Sequence, residues 1–214
     1  MKVIVLDTET TNSLEEPICY DCGWAVVDLD TKETIKTESF AVAEILLDKE
    51  LMSSAYFAEK IPQYWEEIKK GERTLARFST IYRKFREDCR VFGITEVYAH
   101  NMRFDYRSCT LSQRYITSSK YRYFFPYGIK ICDTLKMARQ AFSKEENYIR
   151  FCDENGYRTS RNQLRMTAEI LYRYITKNND FTESHTGLED VMIEKEILAH
   201  CFRQHKAMRK KLYA

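Results

Sequence analysis

Proline and glycine are scarce in this sequence, with 3 and 6 occurrences among 214 residues. A disordered chain and collagen-like repeats are therefore excluded. Hydrophobic residues make up 44% and aromatic residues 14% of the chain. A chain of this length and composition buries a core large enough to fold without disulfides. We expect one domain spanning residues 1–214.

Long apolar runs are also missing. The segment from Met1 to Leu6 meets Asp7 too early to be the apolar centre of a signal peptide, and no stretch is long enough for a transmembrane helix. The seven cysteines are odd in number and scattered, which does not predict a disulfide framework. We expect a cytoplasmic protein with no membrane partner.

Neither sign of charge dominates, since 34 Lys and Arg face 32 Asp and Glu, for a net charge of +2. A basic substrate groove and an acidic metal site would cancel in that sum, so the net charge excludes neither.

The hydrophobic pattern predicts an α/β fold with a mixed five-stranded sheet flanked by helices. The apolar run from Val3 to Leu6 is typical of a buried central strand. Strands at 23–28 and 34–40 follow after polar segments, which predicts a meander. Two further strands are predicted at 96–101 and 128–133.

Apolar residues spaced by three and four from Leu75 to Phe92 predict a helix that begins at Thr74. The rest of the chain is helical in pattern, with helices predicted at 135–142, 144–155, 164–176 and 188–212.

Four acidic residues follow predicted strands or open predicted helices. Asp7 and Glu9 lie two apart where the first strand ends, so both side chains point to one face of the sheet. For an isolated pair, capping a loop or pairing with an arginine would be the simpler interpretation. Asp105 and Asp190 lie where strand ends and helix starts meet in the crevice of an open α/β sheet. Such a cluster suits Mg²⁺ or Mn²⁺, and two such ions support phosphoryl transfer.

These residues lie in segments that resemble known motifs. The segments are Asp7-Thr8-Glu9-Thr10, His100-Asn101 with Phe104-Asp105, and His185 followed by Asp190. In order and spacing they resemble the three motifs of the DnaQ-like DEDDh family of 3′→5′ exonucleases. Cys132-Asp133-Thr134-Leu135 is similar to a further family segment. The resemblance covers essentially the whole chain and is weakest over 147–183.

The resemblance implies a ribonuclease H-like sheet and two divalent cations, Mg²⁺ or Mn²⁺. It implies that Asp7 bridges both ions, that Glu9 and Asp190 hold the one nearer the nucleophilic water, and that Asp105 supports the other. His185 would be the general base, since a neutral imidazole accepts a proton near pH 7. A tyrosine in that position would indicate the sister subfamily. Thr186-Gly187 suggests a mobile loop that brings His185 in with the substrate.

The resemblance also implies residues that grip the terminal nucleotide, namely Thr8, Thr10, Asn101 and Phe104. Phe104 has an equally strong alternative as a helix-packing residue. His100 is interpreted as a structural, hydrogen-bonded histidine. His200 and His205 lack the spacing of paired metal ligands on a helix and are interpreted as surface residues.

The resemblance implies a metal-dependent 3′→5′ exonuclease that acts on single-stranded DNA 3′ ends and releases nucleoside 5′-monophosphates. Two alternatives stay open, an exoribonuclease acting on RNA 3′ ends and a polymerase-associated subunit that binds 3′ ends. Proofreading would require a polymerase or replication partner in trans. Segment 147–177, with its basic residues, is either a partner surface or a substrate wall.

Overall fold

The computed structural model describes residues 1–11, 14–204 and 208–212. Its centre is a mixed six-stranded sheet with the strand order β4-β3-β2-β1-β5-β6. The strands are β1 (Lys2–Thr11), β2 (Ile18–Asp28), β3 (Thr34–Val42), β4 (Thr74–Ala76), β5 (Glu96–Ala99) and β6 (Lys130–Asp133).

Helices cover both faces of this sheet. They are α1 (Ala43–Leu46), α2 (Lys49–Met52), α3 (Ile61–Lys70), α4 (Phe78–Val91), α5 (Arg103–Tyr115), α6 (Thr134–Phe142), α7 (Glu146–Glu154), α8 (Ala168–Thr176) and α9 (Gly187–Arg203). A short 3₁₀ turn, Ala58–Lys60, precedes α3. No helix in the described ranges is both long enough and apolar enough to cross a bilayer.

The sheet combines an antiparallel meander with parallel additions. β1, β2 and β3 pair antiparallel in chain order, which confirms the predicted meander. β5 joins β1 in parallel, and β6 joins β5 in parallel. The mixed α/β architecture is therefore as predicted.

The alternation of side chains along β1 divides the core into two layers. Ile4 and Leu6 pack with α3, α4 and α5 on one face of the sheet. Val3 and Val5 pack with α6, α7, α8 and α9 on the other face. Because side chains alternate along a strand, Asp7 and Glu9 continue the face that is covered by α9.

The sheet has six strands where five were predicted. The additional strand β4 contains Leu75, which fits the helical spacing of the following segment, so the sequence assigned it to the helix. Thr74–Ala76 instead pairs in parallel with Phe40–Val42 at the edge of the sheet, and the helix begins only at Phe78. Pairing with a distant strand overrode a local pattern.

Two other helix boundaries differ from the prediction by four residues or more. α8 starts at Ala168, where the Thr167 hydroxyl accepts from the Ile170 N–H, so the predicted start at 164 was too early. α9 ends at Arg203, not near 212. Residues 208–212 run beside β6, and the predicted surface residue His205 lies outside the described residues. His200 is only partly exposed, because its ring stacks on Phe142.

The first turn of α9 lies directly against β2. Asp21 is fully buried, and its Oδ2 accepts from the Gly187 N–H at 2.8 Å and from the Tyr64 hydroxyl at 2.7 Å, while its Oδ1 pairs with Arg73. A Cβ at Gly23 would lie 2.5 Å from the Leu188 backbone nitrogen. The absence of a side chain at position 23 therefore lets the helix approach the sheet.

We expect Gly23→Ala to lower the free energy of unfolding by about 1–3 kcal/mol, because the added methyl group collides with backbone that cannot rotate away. Urea denaturation measures this change. The control is Gly93→Ala, where φ is +63° but no atom lies within 4 Å of the added Cβ. Both variants lose stability, but only Gly23→Ala should also weaken binding of Mn²⁺. Equal Mn²⁺ affinity in the two variants would contradict this role of the β2–α9 contact.

Candidate active site

A crevice opens beside β1 where its parallel partner stops. β5 pairs with β1 only at Ile4 and Val5, so the later residues of β1 have a free edge on that side. Asp105, in the first turn of α5, fills this edge: its Oδ1 accepts from the Thr8 backbone N–H at 3.1 Å and from the Thr8 hydroxyl at 2.9 Å. This is the point in an open α/β sheet where ligands bind.

The crevice widens into a cavity of about 1440 Å³. Eight of the residues predicted from the sequence line it: Asp7, Thr8, Glu9, Asn101, Phe104, Asp105, His185 and Asp190. The ninth predicted residue, Thr10, is not part of the lining. Asp7 and Glu9 lie within β1, not at its end, which is Thr11.

The carboxylates of the cavity fit a divalent cation. Ligand atoms of Glu9, His185 and Asp190 all lie within 4.8 Å of one another. Asp7 Oδ2 and Asp190 Oδ1 are buried and have no hydrogen-bond partner among the described residues. Buried carboxylate oxygens without partners are costly, and a cation would satisfy them. Oxygen ligands of this kind suit Mg²⁺ or Mn²⁺.

Crowding and burial change the protonation of these acids. Burial raises the pKa of Glu9 to about 9, with further contributions from Asp21 and Asp190. Burial also raises the pKa of Asp190 to about 8 and that of Asp105 to about 7. The pKa of Asp7 is raised as well, mainly by burial and then by Asp105. Without a cation the site therefore retains protons near neutral pH.

Two further acids in the cavity were not predicted. Glu194 is fully enclosed, and its Oε2 accepts from the His100 backbone N–H at 2.9 Å. It lies four residues after Asp190, so the helical period places both carboxylates on one face of α9, and this spacing was the available signal. Glu183 also lines the cavity, where burial raises its pKa to about 7. Glu183 lies two residues before His185 in an irregular segment. Such a segment has no regular period, so this spacing did not predict that the two side chains share a site.

His185 is held at the mouth of the cavity. Its ring stacks on Phe57 with centroids 4.3 Å apart and an angle of 11° between the planes, and its Nδ1 lies 3.8 Å from Glu183 Oε2. Burial, together with the positive charge of Lys60, lowers the pKa of His185, so the imidazole is neutral at pH 7. The φ of +52° is unusual for a residue with a side chain. These contacts describe a positioned side chain, which counts against free movement of the loop at 186–187.

His100 and Asn101 link the cavity to the end of β6. His100 Nε2 lies 2.7 Å from the Met166 carbonyl oxygen and Nδ1 lies 3.1 Å from the Thr134 hydroxyl, so both ring nitrogens are engaged. Asn101 has a φ of +67°, and its N–H donates to Asp133 Oδ1 at 3.2 Å. The Asn101 side chain stays exposed at the cavity wall. His100 is therefore hydrogen-bonded within the fold, in line with its interpretation as a structural residue.

The fold is shared with solved nucleases. The nuclease domain of 3′hExo, a DEDDh family member bound to rAMP, superposes with a TM-score of 0.62 at 13% identity, over 99% of this chain and 97% of that one. Cell-death related nuclease 4 (CRN-4) gives 0.61 at 12% identity, over 98% of this chain and 66% of that one. E. coli exonuclease I in complex with a dA16 oligonucleotide gives 0.55 at 12% identity, over 95% of this chain and 41% of that one.

These identities are low, so the likeness establishes the ribonuclease H-like fold of the DEDDh exonucleases and not a shared activity. The chain spans nearly the whole nuclease domain of 3′hExo but about two thirds of CRN-4 and less than half of exonuclease I. No protein-family profile matches the sequence, and no curated protein matches it either.

The raised pKa values predict an unusual pH dependence of stability. Between about pH 4 and about pH 9 the folded protein binds more protons at Glu9, Asp105 and Asp190 than the unfolded chain does, so stability in a chelator falls as the pH rises. A cation that replaces these protons should raise the melting temperature, and more so at about pH 9 than at about pH 6.

Thermal unfolding with EDTA or Mn²⁺ across this pH range measures both effects. Asp190→Asn, which removes one of the repelling charges, should reduce the loss of stability at high pH. Stability in EDTA that stays constant or rises with pH would contradict the prediction.

Proposed function

We propose that the chain is a metal-dependent 3′→5′ exonuclease that works as one domain and hydrolyses the terminal phosphodiester bond of single-stranded DNA, releasing nucleoside 5′-monophosphates. The observation that carries the proposal is the cavity in which unpartnered buried carboxylates lie beside a neutral histidine. A bound cation would replace the protons on the buried acids, and a neutral histidine next to them is suited to accept a proton. The shared fold with DEDDh nucleases supports this assignment.

In this proposal Asp7, Glu9, Asp105 and Asp190 would hold two divalent cations, Mg²⁺ or Mn²⁺. Asp7 would serve both, Glu9 and Asp190 would hold one of them, and Asp105 would support the other. When bound, two such ions stabilise the attacking and the leaving oxygens of a phosphoryl displacement. Thr8 holds Asp105 in place through two hydrogen bonds to one oxygen, which leaves the second oxygen free to face the cavity.

His185 takes the proton from the attacking water. Its Nδ1 faces Glu183 Oε2, and a proton on Nδ1 leaves the lone pair of Nε2 free to act as the base. The Phe57 ring limits rotation of the imidazole, so the base does not lose its orientation when the substrate leaves. Burial, and then the positive charge of Lys60, lowers the pKa of His185 and so favours the neutral form that can act as a base near pH 7.

Asn101 and Phe104 contact the terminal nucleotide in this proposal. Both line the cavity beside Asp105, and an aromatic ring in this place offers a stacking surface for a base. Thr8 and Thr10 were predicted to share this task. The Thr8 hydroxyl is occupied by Asp105 and Ser108, and Thr10 lies off the cavity wall, so their contribution would come from the backbone of β1.

The substrate is single-stranded DNA in the first proposal and RNA in the second. The solved neighbours include one bound to rAMP and one bound to a DNA oligonucleotide, so both substrates are compatible with the fold. A protein tells the two apart through the 2′-hydroxyl group. A polymerase or replication partner in trans remains part of the prediction for a proofreading role.

We expect Asp7→Asn to abolish hydrolysis of 5′-labelled oligonucleotides, because a neutral amide cannot hold two cations. The assay compares matched single-stranded DNA and RNA in Mg²⁺, Mn²⁺ and EDTA. The parent should produce a ladder that shortens from the 3′ end, only with metal, and the faster polymer identifies the substrate.

Glu72→Gln, an exposed acid away from the cavity, serves as the control and should cleave like the parent. Folded parent protein that binds 3′ ends in Mn²⁺ without cleaving either polymer would refute the enzyme proposal and favour a 3′-end-binding subunit.

His185→Ala should reduce kcat by about 10² to 10⁴, the usual contribution of a positioned general base. Circular dichroism and the melting temperature should stay close to those of the parent, because the side chain lies at the cavity mouth. His200→Ala is the matched control, since this histidine also stacks on a ring but lies outside the cavity. A His185→Ala enzyme as fast as the parent would exclude His185 as the base.

A further inference from the structure

The segment 208–212 is hydrogen-bonded to the edge of the sheet at β6, beside α6. The Asp133 N–H donates to the Lys210 carbonyl at 2.7 Å, and the Leu212 N–H donates to the Ile131 carbonyl at 2.8 Å, in antiparallel pairing with β6. Gln140 exchanges two hydrogen bonds with the backbone of Arg209, at 2.8 and 3.0 Å. The backbone of the segment is thus used for folding, while the side chains of Arg209 and Lys211 are exposed.

A second cavity, of about 750 Å³, lies between this segment and α6. Five of its eight lining residues are Lys or Arg, and no Asp or Glu from the described part of the chain lines it. The Lys210 amino group is neutralised by Glu96 at 2.5 Å, and Lys136 donates to the carbonyls of Lys211 and Leu212. These two lysines therefore support the segment.

The other three basic residues, Arg139, Arg209 and Lys211, are exposed, and none of them forms an ion pair with a described residue. We call them the basic track. Arg139 lines both this cavity and the active-site cavity, so the track starts at the wall of the acidic site and leads away from it.

Resting on the proposed function, we propose that the basic track binds the sugar-phosphate backbone of the substrate strand upstream of the 3′ end. The carboxylates of the active site repel every phosphate not bound to a cation, so the strand must leave the acidic cavity towards positive charge. Arg139, Arg158 and Arg165 all line the active-site cavity, and of these three only Arg139 also lines the second cavity. Arg209 and Lys211, held by backbone pairing to β6, would receive the next phosphates. The basic track contacts phosphate groups and not bases, so it should bind DNA and RNA equally well.

The test is a binding titration by fluorescence anisotropy in EDTA, where no hydrolysis occurs. The probes are 5′-labelled oligodeoxythymidylate and oligouridylate of about 20 nucleotides, each with its trinucleotide counterpart. The variant is the double substitution Arg209→Gln with Lys211→Gln. Lys70→Gln with Arg90→Gln removes two exposed charges from helices on the other face of the sheet and is the matched control.

We expect the variant to bind both long probes about 25-fold more weakly than the parent at about 0.1 M salt. The slope of log K against log salt concentration should become less steep by about 1.4, because two phosphate contacts with a single strand are lost. Trinucleotide binding should not change. The charge-conserving variant Arg209→Lys with Lys211→Arg should bind like the parent, which separates loss of charge from loss of structure.

Long-probe binding equal to that of the matched control, or an equal loss on long and short probes, would overturn the proposal. In Mn²⁺ the variant should show a raised KM on the long probe and an unchanged kcat on the trinucleotide. If the parent cleaves nothing, the proposed function fails, while the EDTA titration still decides whether the track binds a strand.

Discussion

The buried Asp21 carboxylate of β2 accepts a hydrogen bond from the first residue of α9, and the geometry of the candidate active site depends on this contact. Asp21 receives the Gly187 N–H and pairs with Arg73, while Gly23 leaves the space in which the helix approaches the strand. The burial of Asp21 would be costly without these partners. Because α9 carries Asp190 and Glu194, the same contact brings these two acids close to Asp7 and Glu9 of β1.

The cavity holds several acidic side chains, and no described Lys or Arg pairs with them. Asp7 and Glu9 face α9, and Glu194 and Asp190 face them from the helix, so burial and mutual repulsion raise their pKa values. Functional sites hold such destabilised arrangements because a ligand satisfies them. Arginines also line this cavity, Arg139 of α6 among them, and further positive charges lie on the segment beside β6, where a bound strand would meet them next.

The limits of the sequence prediction are visible in particular residues. Leu75 fits a helical spacing but lies in an edge strand, because pairing with β3 is a non-local contact that no local pattern reports. Glu194 was missed although its spacing from Asp190 was available. Phe57 carried no signal, since its contact with His185 joins residues that are far apart in the chain.

The sequence by itself determined the α/β class and the central meander, because strand alternation and helix period act within a few residues. Eight of the nine residues that the family resemblance suggested for the site line one cavity. The tertiary structure alone decided the sixth strand, the absence of Thr10 from the cavity lining and the stack of Phe57 on His185. It also decided that 208–212 lies beside β6 and α6. Each of these features depends on packing between segments that are far apart in the chain. Local sequence patterns do not report such contacts.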